Sequence, residues 1–257
     1  MSLDELKISG AIIESYYKKL RDSLEVEVAI AGAGPSGMIC AYYLAKAKKK
    51  VAIFERKLSV GGGIWGGGMM FNEIVIQSEA KKIFDELGIR TCRYQGNYYL
   101  ADSVETASGL CLATVQAGAK IFNLISVEDV MVRKNRVCGV VLNWSAVSMA
   151  NLHIDPLTIK AKFVVDASGH AAEVARIVER KSSIRLNTKT KKIVGEQSMW
   201  ADLAEDTIVK NSGKVCSGLY VCGMAANAVF GGPRMGPIFG GMLLSGRKVA
   251  QELIKKL

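Results

Sequence analysis

The sequence predicts an α/β fold, a doubly wound parallel sheet with a smaller antiparallel β layer. Three observations predict it. A short apolar run, Val26–Ala31, leads through a glycine turn and an amphipathic segment to a second apolar run, Val51–Phe54. Strand-like and helix-like segments alternate along most of the remaining chain, and paired runs at about 127–144 interrupt them as an inserted hairpin. Strands buried on both faces read as continuous β-branched runs, and strand–helix alternation builds parallel sheets. A chain of 257 residues suits one Rossmann-like dinucleotide-binding domain over 1–257.

Taken in order, residues 3–24 carry Leu6, Ile8, Ile12, Ile13, Tyr16 and Leu20 at helical spacing, a helix for packing on the domain or on a neighbouring subunit. Gly32, Gly34 and Gly37 then give G-x-G-x-x-G directly after the first strand. This spacing makes a tight turn, lets bare backbone approach a pyrophosphate and seats phosphate on a helix N-terminus. The helix is Met38–Lys46, and Glu55 closes the second strand where it can take both hydroxyls of an adenosine ribose. The turn alone fits FAD, NAD as cofactor and NAD as substrate alike.

The next segment places Gly61, Gly62, Gly63, Gly66, Gly67 and Gly68 beside Ile64, Trp65, Met69, Met70 and Phe71. Ordering so many glycines is costly in chain entropy, so backbone lying against a ligand is expected here, with the apolar side chains buried. Glu73–Leu87 and Ser103–Ala117 read as amphipathic helices, stopped by Gly88 and Gly118. Ala119–Asn123 is a parallel strand, and Val127–Val132 and Val137–Trp144 flank a Lys134-Asn135 turn. Leu157–Val165 is a strand ending at Asp166, and Ala172–Arg180 is a helix. Lys181–Asp206 is polar and irregular apart from Ile193–Ala201 and receives no role. Leu219–Cys222 is a last core strand and Met242–Leu257 a closing helix.

Composition narrows the function class. No apolar run reaches the length of a membrane span and MSLDELKISG lacks a signal peptide's apolar core, so a soluble, cytoplasmic protein is expected. The net charge of +10 comes from lysines scattered over helix faces, with runs only at Lys48–Lys50 and Lys189–Lys192, so no nucleic-acid partner is expected. Six cysteines form no C-x-x-C pair and read as small buried hydrophobes in a reducing cell.

The two histidines, His153 and His170, both fall at strand ends or loops. Loops at strand C-termini converge on the ligand crevice of a doubly wound sheet. One imidazole and one carboxylate there, such as His170 and Asp155, suit a first-row divalent metal with open positions. The same residue types equally suit a hydrogen-bonded structural histidine and a turn aspartate before Pro156. Arg234 stands in the rigid stretch Gly231-Gly232-Pro233-Arg234-Met235-Gly236-Pro237, preorganised to grip a carboxylate or phosphate, or to pair with a surface acid.

Together GAGPSG, Glu55-Arg56, GGGIWGGGMMF, His153-Ile154-Asp155-Pro156, Ser168-Gly169-His170 and GPRMGPIFGGM resemble the thiamine thiazole synthase family, in its archaeal, sulfide-dependent branch. The resemblance covers nearly the whole chain. It implies an enzyme that takes NAD as substrate, expels nicotinamide, isomerises the ADP-ribose, condenses it with glycine and adds sulfur. The product is an adenylated thiazole carboxylate. By resemblance, Ser36, Glu55, Arg56 and Gly63 hold the ADP-ribose, with Val127 and Met224 lining the pocket. Asp155 and His170 are Fe(II) ligands at a subunit interface, in a homo-octamer. Arg234 clamps the glycine carboxylate, and His153, Ile154 and Asp155 face the bound substrate. In fungal and plant relatives a cysteine two residues before this aspartate gives up its own sulfur. Here that residue is His153, and none of the six cysteines has aspartate two positions later, so free sulfide and repeated turnover are implied. Relatives usually carry aspartate after the second histidine, where this chain has Ala171. The alternatives are an FAD-dependent oxidoreductase of the same fold, a sugar-phosphate isomerase, and an ADP-ligand sensor without activity.

Overall fold

The computed structural model describes residues 3–257. Helix α1 (Glu5–Asp22) starts at Asp4, whose carboxylate accepts from the backbone N–H groups of Leu6 (3.0 Å) and Lys7 (3.2 Å). Strand β1 (Glu25–Ala31), helix α2 (Pro35–Lys46) and strand β2 (Val51–Glu55) form the expected dinucleotide-binding unit. A single 3₁₀ turn, Gly62–Gly66, is the only helical piece of the glycine-rich segment. There follow β3 (Glu73–Gln77), α3 (Ser78–Leu87), β4 (Cys92–Arg93), β5 (Tyr98–Asp102), α4 (Ser103–Gln116) and β6 (Lys120–Asn123). The hairpin is β7 (Ile125–Arg133) and β8 (Arg136–Trp144); Lys134 and Asn135 both have positive φ (48° and 58°), as a type I′ turn requires. The chain continues through α5 (Ser145–Met149), β9 (Leu157–Asp166), α6 (Glu173–Lys181), α7 (Ala201–Asn211) and β10 (Gly213–Cys216). It closes with β11 (Leu219–Val221), α8 (Met224–Phe230) and α9 (Gly240–Ile254).

The main sheet has eight strands, with β11, β9, β1, β2 and β6 running parallel at its centre. The hairpin joins it antiparallel through β8 on β9, and β10 pairs antiparallel with β11. A separate three-stranded antiparallel sheet, β3-β5-β4, makes the smaller layer. Ile30, Ile53 and Val165 in the central strands are fully buried. Burying one such side chain contributes about 1.5–3 kcal/mol, which makes this layer the main source of stability. One core, with α2, α3, α4 and α9, covers one sheet face; the other, with α6, α8 and the hairpin, covers the opposite face. Strand C-terminal ends therefore open on one edge, where a doubly wound sheet places its ligand crevice. No helix of the described residues is long and apolar enough to cross a membrane.

Four expectations need correction. Glu73–Leu87 is not one helix: Ile74 and Ile76 alternate into the core while Glu73–Gln77 pairs with β5, so cross-strand bonding overrides helical propensity. In the glycine-rich segment Ile64 is buried, but Met69, Met70 and Phe71 are 75%, 91% and 67% exposed. Met69 and Met70 have positive φ there, and the backbone, not the side chains, turns inward. The cysteines divide: Cys40, Cys216 and Cys222 are buried, Cys92 is exposed, and Cys111 and Cys138 are intermediate. Residues 202–206, read as irregular, lie in the first half of α7.

Helix α1 touches its own domain along one edge only. Lys19 Nζ donates to the Ile121 carbonyl (2.6 Å) and Tyr16 meets Phe122 edge-on at 6.1 Å. None of its residues is buried, and Leu6, Ile12 and Ile13 are more than half exposed.

Candidate active site

The glycine turn does three separate jobs. Gly32 has φ of 100°, and a Cβ there would lie 2.5 Å from the Ala167 carbonyl oxygen. A Cβ on Gly37 would lie 2.1 Å from the Gly32 carbonyl oxygen, so Gly37 lets α2 pack on the turn. A Cβ on Gly34 would meet nothing within 4 Å. Gly34 is the cap of α2, with no side chain accepting from the first N–H groups. These free donors and the open space before them are what a phosphate group would need.

Glu55 is buried, and its carboxylate anchors this turn: Oε2 accepts from Ala33 N–H (2.8 Å) and Oε1 from Lys57 N–H (2.9 Å). Each oxygen keeps further acceptor capacity for ribose hydroxyls. The glycine-rich segment folds over the turn, with Gly61 N–H donating to the Ala33 carbonyl (2.8 Å) and a Cβ on Gly62 reaching to 3.1 Å from Gly34 Cα. Bare backbone is required at that crossing.

From this turn a cleft of about 870 Å³ runs along the strand ends. Gly32, Gly34, Ser36, Glu55, Arg56, Gly63, Val127, His170, Met224 and Arg234 all line it. Gly37 lies beneath it, in the packing role just described. His153, Ile154 and Asp155 do not line it; they stand on exposed chain before β9, where Asn143 Nδ2 donates to the Ile154 carbonyl (3.0 Å). Within one chain, His170 is thus on the cleft wall and Asp155 outside it. Among the described residues no group of three or more His, Cys, Asp or Glu could hold a metal ion.

Two acidic residues that the sequence pattern did not flag, Glu173 and Glu196, meet side chains of the wall. Glu173 forms an ion pair with Arg56 across the cleft. Burial raises the Glu173 carboxyl above its ordinary pKa, while Arg56 pulls it back. Asp166, wholly buried, accepts from Ser168 Oγ (2.6 Å) and Ala175 N–H (2.9 Å), fixing the loop that carries His170. Burial raises its pKa too. The second acid, Glu196, meets His170: Nδ1 lies 2.8 Å from Oε1 and 3.0 Å from Oε2.

Arg234 is held as a preorganised clamp would be. Buried Asn227 donates to the Pro233 carbonyl (2.9 Å), Arg234 N–H donates to the Gln197 carbonyl (3.1 Å), and Trp200 N–H donates to the Arg234 carbonyl (3.1 Å). Its guanidinium makes no hydrogen bond or ion pair with the described residues, so pairing with a surface acid is not what holds it. Chemically, the cleft joins uncapped helix N–H groups and a buried carboxylate to an imidazole and a free guanidinium.

The Thi4 family model matches residues 9–239. The chain belongs to the Thi4 family. It is 58% identical over 257 residues, the whole of both chains, to the thiamine thiazole synthase of Methanothermobacter thermautotrophicus. It is 56% identical over 255 residues, 99% of both chains, to that of Pyrococcus horikoshii. Its fold superposes on the crystal structure of Thermovibrio ammonificans THI4 with a TM-score of 0.96 and 50% identity, covering 100% of this chain and 99% of that one. Thiamine thiazole synthesis is the function that Thi4 membership at this identity supports, and the Rossmann-like architecture is the family's.

Proposed function

We propose that this Thi4 chain makes an adenylated thiazole carboxylate from NAD, glycine and sulfide with Fe(II), as a transferase that consumes NAD. One observation carries the reading: a single cleft connects the phosphate seat at Gly34 and the acceptor Glu55 with His170 and Arg234. Its volume of about 870 Å³ falls at the upper end of small-molecule sites, as a dinucleotide needs.

The chain's own groups divide the work. The N–H groups at the start of α2 and the Arg56 guanidinium hold the pyrophosphate. Glu55 accepts from the adenosine ribose, and Arg234 orients glycine through its carboxylate, leaving the amine toward the ribose-derived carbonyl. The donor set fits Fe(II): an imidazole on the cleft wall and a carboxylate, Asp155, without a side-chain partner among the described residues. Fe(II) would supply Lewis acidity and a template for sulfide. Since Asp155 stands outside the cleft of its own chain, a second copy would bring its Asp155 to this His170. Exposed apolar residues on α1 and at Met69–Phe71 favour such an assembly, an octamer by resemblance. With His153 where sulfur-donating relatives carry cysteine, sulfide comes from solution and the protein turns over.

The test is an anaerobic incubation with NAD, glycine, Fe(II) and sulfide, each omitted in turn, analysed by mass. Product above one equivalent per chain that needs all four supports the reading. Recovery of FAD from the purified protein would overturn it in favour of a flavin oxidoreductase.

A further inference from the structure

The loop after β9 presents His170 with half of its side chain exposed, a poor environment for holding a ring in one orientation. The residue that meets it comes from far along the chain, in a segment with no helix. Glu196 is less exposed than the histidine (21% against 50%) and both of its oxygens are within hydrogen-bond reach of Nδ1. A carboxylate accepts only, so Nδ1 carries a proton, and in the neutral ring the lone pair then sits on Nε2. Nε2 has no hydrogen-bond partner among the described residues, and the ring lines the cleft.

The backbone around Glu196 is built to hold it. Val194 and Gly195 N–H donate to the Val229 and Ala228 carbonyls, each at 3.0 Å. Gln197 N–H donates to the Gly232 carbonyl (3.0 Å), and the Gln197 carbonyl accepts in return from Arg234 N–H (3.1 Å). Gly195 has φ of 98°, a conformation that side chains rarely adopt. A short extended clip thus pins Glu196 to the end of α8 and to the loop of Arg234. One element sets the imidazole and the guanidinium together.

We propose that Glu196 is a positioning residue that fixes the tautomer and orientation of His170, so that Nε2 faces the cleft as a metal ligand. The orientation is a property of the chain; the metal role rests on the function proposed above. Ligating histidines commonly donate their other ring N–H to a carboxylate, and losing that partner costs about 10- to 100-fold in metal affinity. Glu196 supplies, from 26 residues downstream, the carboxylate that Ala171 does not.

The test separates the two levels. With only two histidines in the chain, ¹⁵N spectra of the metal-free protein resolve both rings, exposed His153 serving as reference. Wild type should show His170 as the Nδ1–H tautomer. Glu196→Ala should shift it toward the reference, and Glu196→Gln, which keeps an acceptor oxygen, should shift it less. In anaerobic titration with Fe(II) alone, Glu196→Ala should weaken binding by about 10- to 100-fold, and adding Ala171→Asp should recover part of the loss. An unchanged His170 spectrum in Glu196→Ala would overturn the proposal. So would unchanged Fe(II) affinity where wild type binds the ion. Wild type that binds no Fe(II) would sink the metal reading of the site, while the spectra alone would still decide whether Glu196 orients His170.

Discussion

Arg56 and Glu173, 117 positions apart in sequence, close an ion pair across the candidate cleft. Arg56 follows β2 and Glu173 opens α6, so the pair ties two strand ends together and aims the guanidinium along the wall. Under the proposed function, removing the guanidinium takes a charge-assisted contact from the pyrophosphate. Arg56→Ala should raise the dissociation constant for ADP-ribose by about 10- to 100-fold, the range of one charged hydrogen bond. Calorimetric titration reads it, and unchanged affinity would remove Arg56 from the binding set.

The glycines of the turn should separate by experiment. Gly34→Ala meets open space and its φ of −76° suits any residue, so the melting temperature should stay within about 2 °C while nucleotide binding falls at least about tenfold. Gly37→Ala drives a methyl to 2.1 Å from a backbone oxygen and should lower the melting temperature by roughly 5–10 °C. Equal melting temperatures for the two variants would contradict the division of roles.

A pH effect follows from Glu205. Gln77 Nε2 donates to its Oε2 (2.6 Å), its Oε1 is buried without a partner, and burial pushes its pKa up to about 7. The folded protein therefore holds this proton more tightly than the unfolded chain, whose carboxyl titrates near 4.5. That stabilisation is complete below about pH 4.5 and is lost as pH rises through about 7, amounting to roughly 3 kcal/mol. Denaturation of wild type beside Glu205→Gln across pH 4–8 checks it. Wild type should lose stability relative to the variant as pH rises, and parallel curves would refute the assignment.

Arg234→Gln should raise the KM for glycine by about tenfold or more, with NAD binding within about twofold of wild type. Equal weakening of both substrates would mean that the loop, not the guanidinium, was lost.

His153→Cys restores cysteine two residues before Asp155. It is expected to give single-turnover product without added sulfide, with a mass loss corresponding to one sulfur from the chain. No mass loss in the presence of Fe(II), NAD and glycine would count against this reading of the position.

The sequence by itself determined the dinucleotide unit, the hairpin and the central strands, because turn chemistry and apolar runs act within about ten residues of chain. The placement of Gly32, Gly34 and Glu55 at the ends of β1 and β2 was legible for the same reason: it follows from residue type and local spacing. Tertiary structure alone decided that Glu73–Gln77 is a strand, since its partner β5 begins more than twenty residues later. It alone brought Glu173 to Arg56 and Glu196 to His170, carboxylates with no local pattern to mark them. A hydrogen bond between distant residues leaves no period in the sequence. Its partners meet only when buried strands have fixed where each loop emerges.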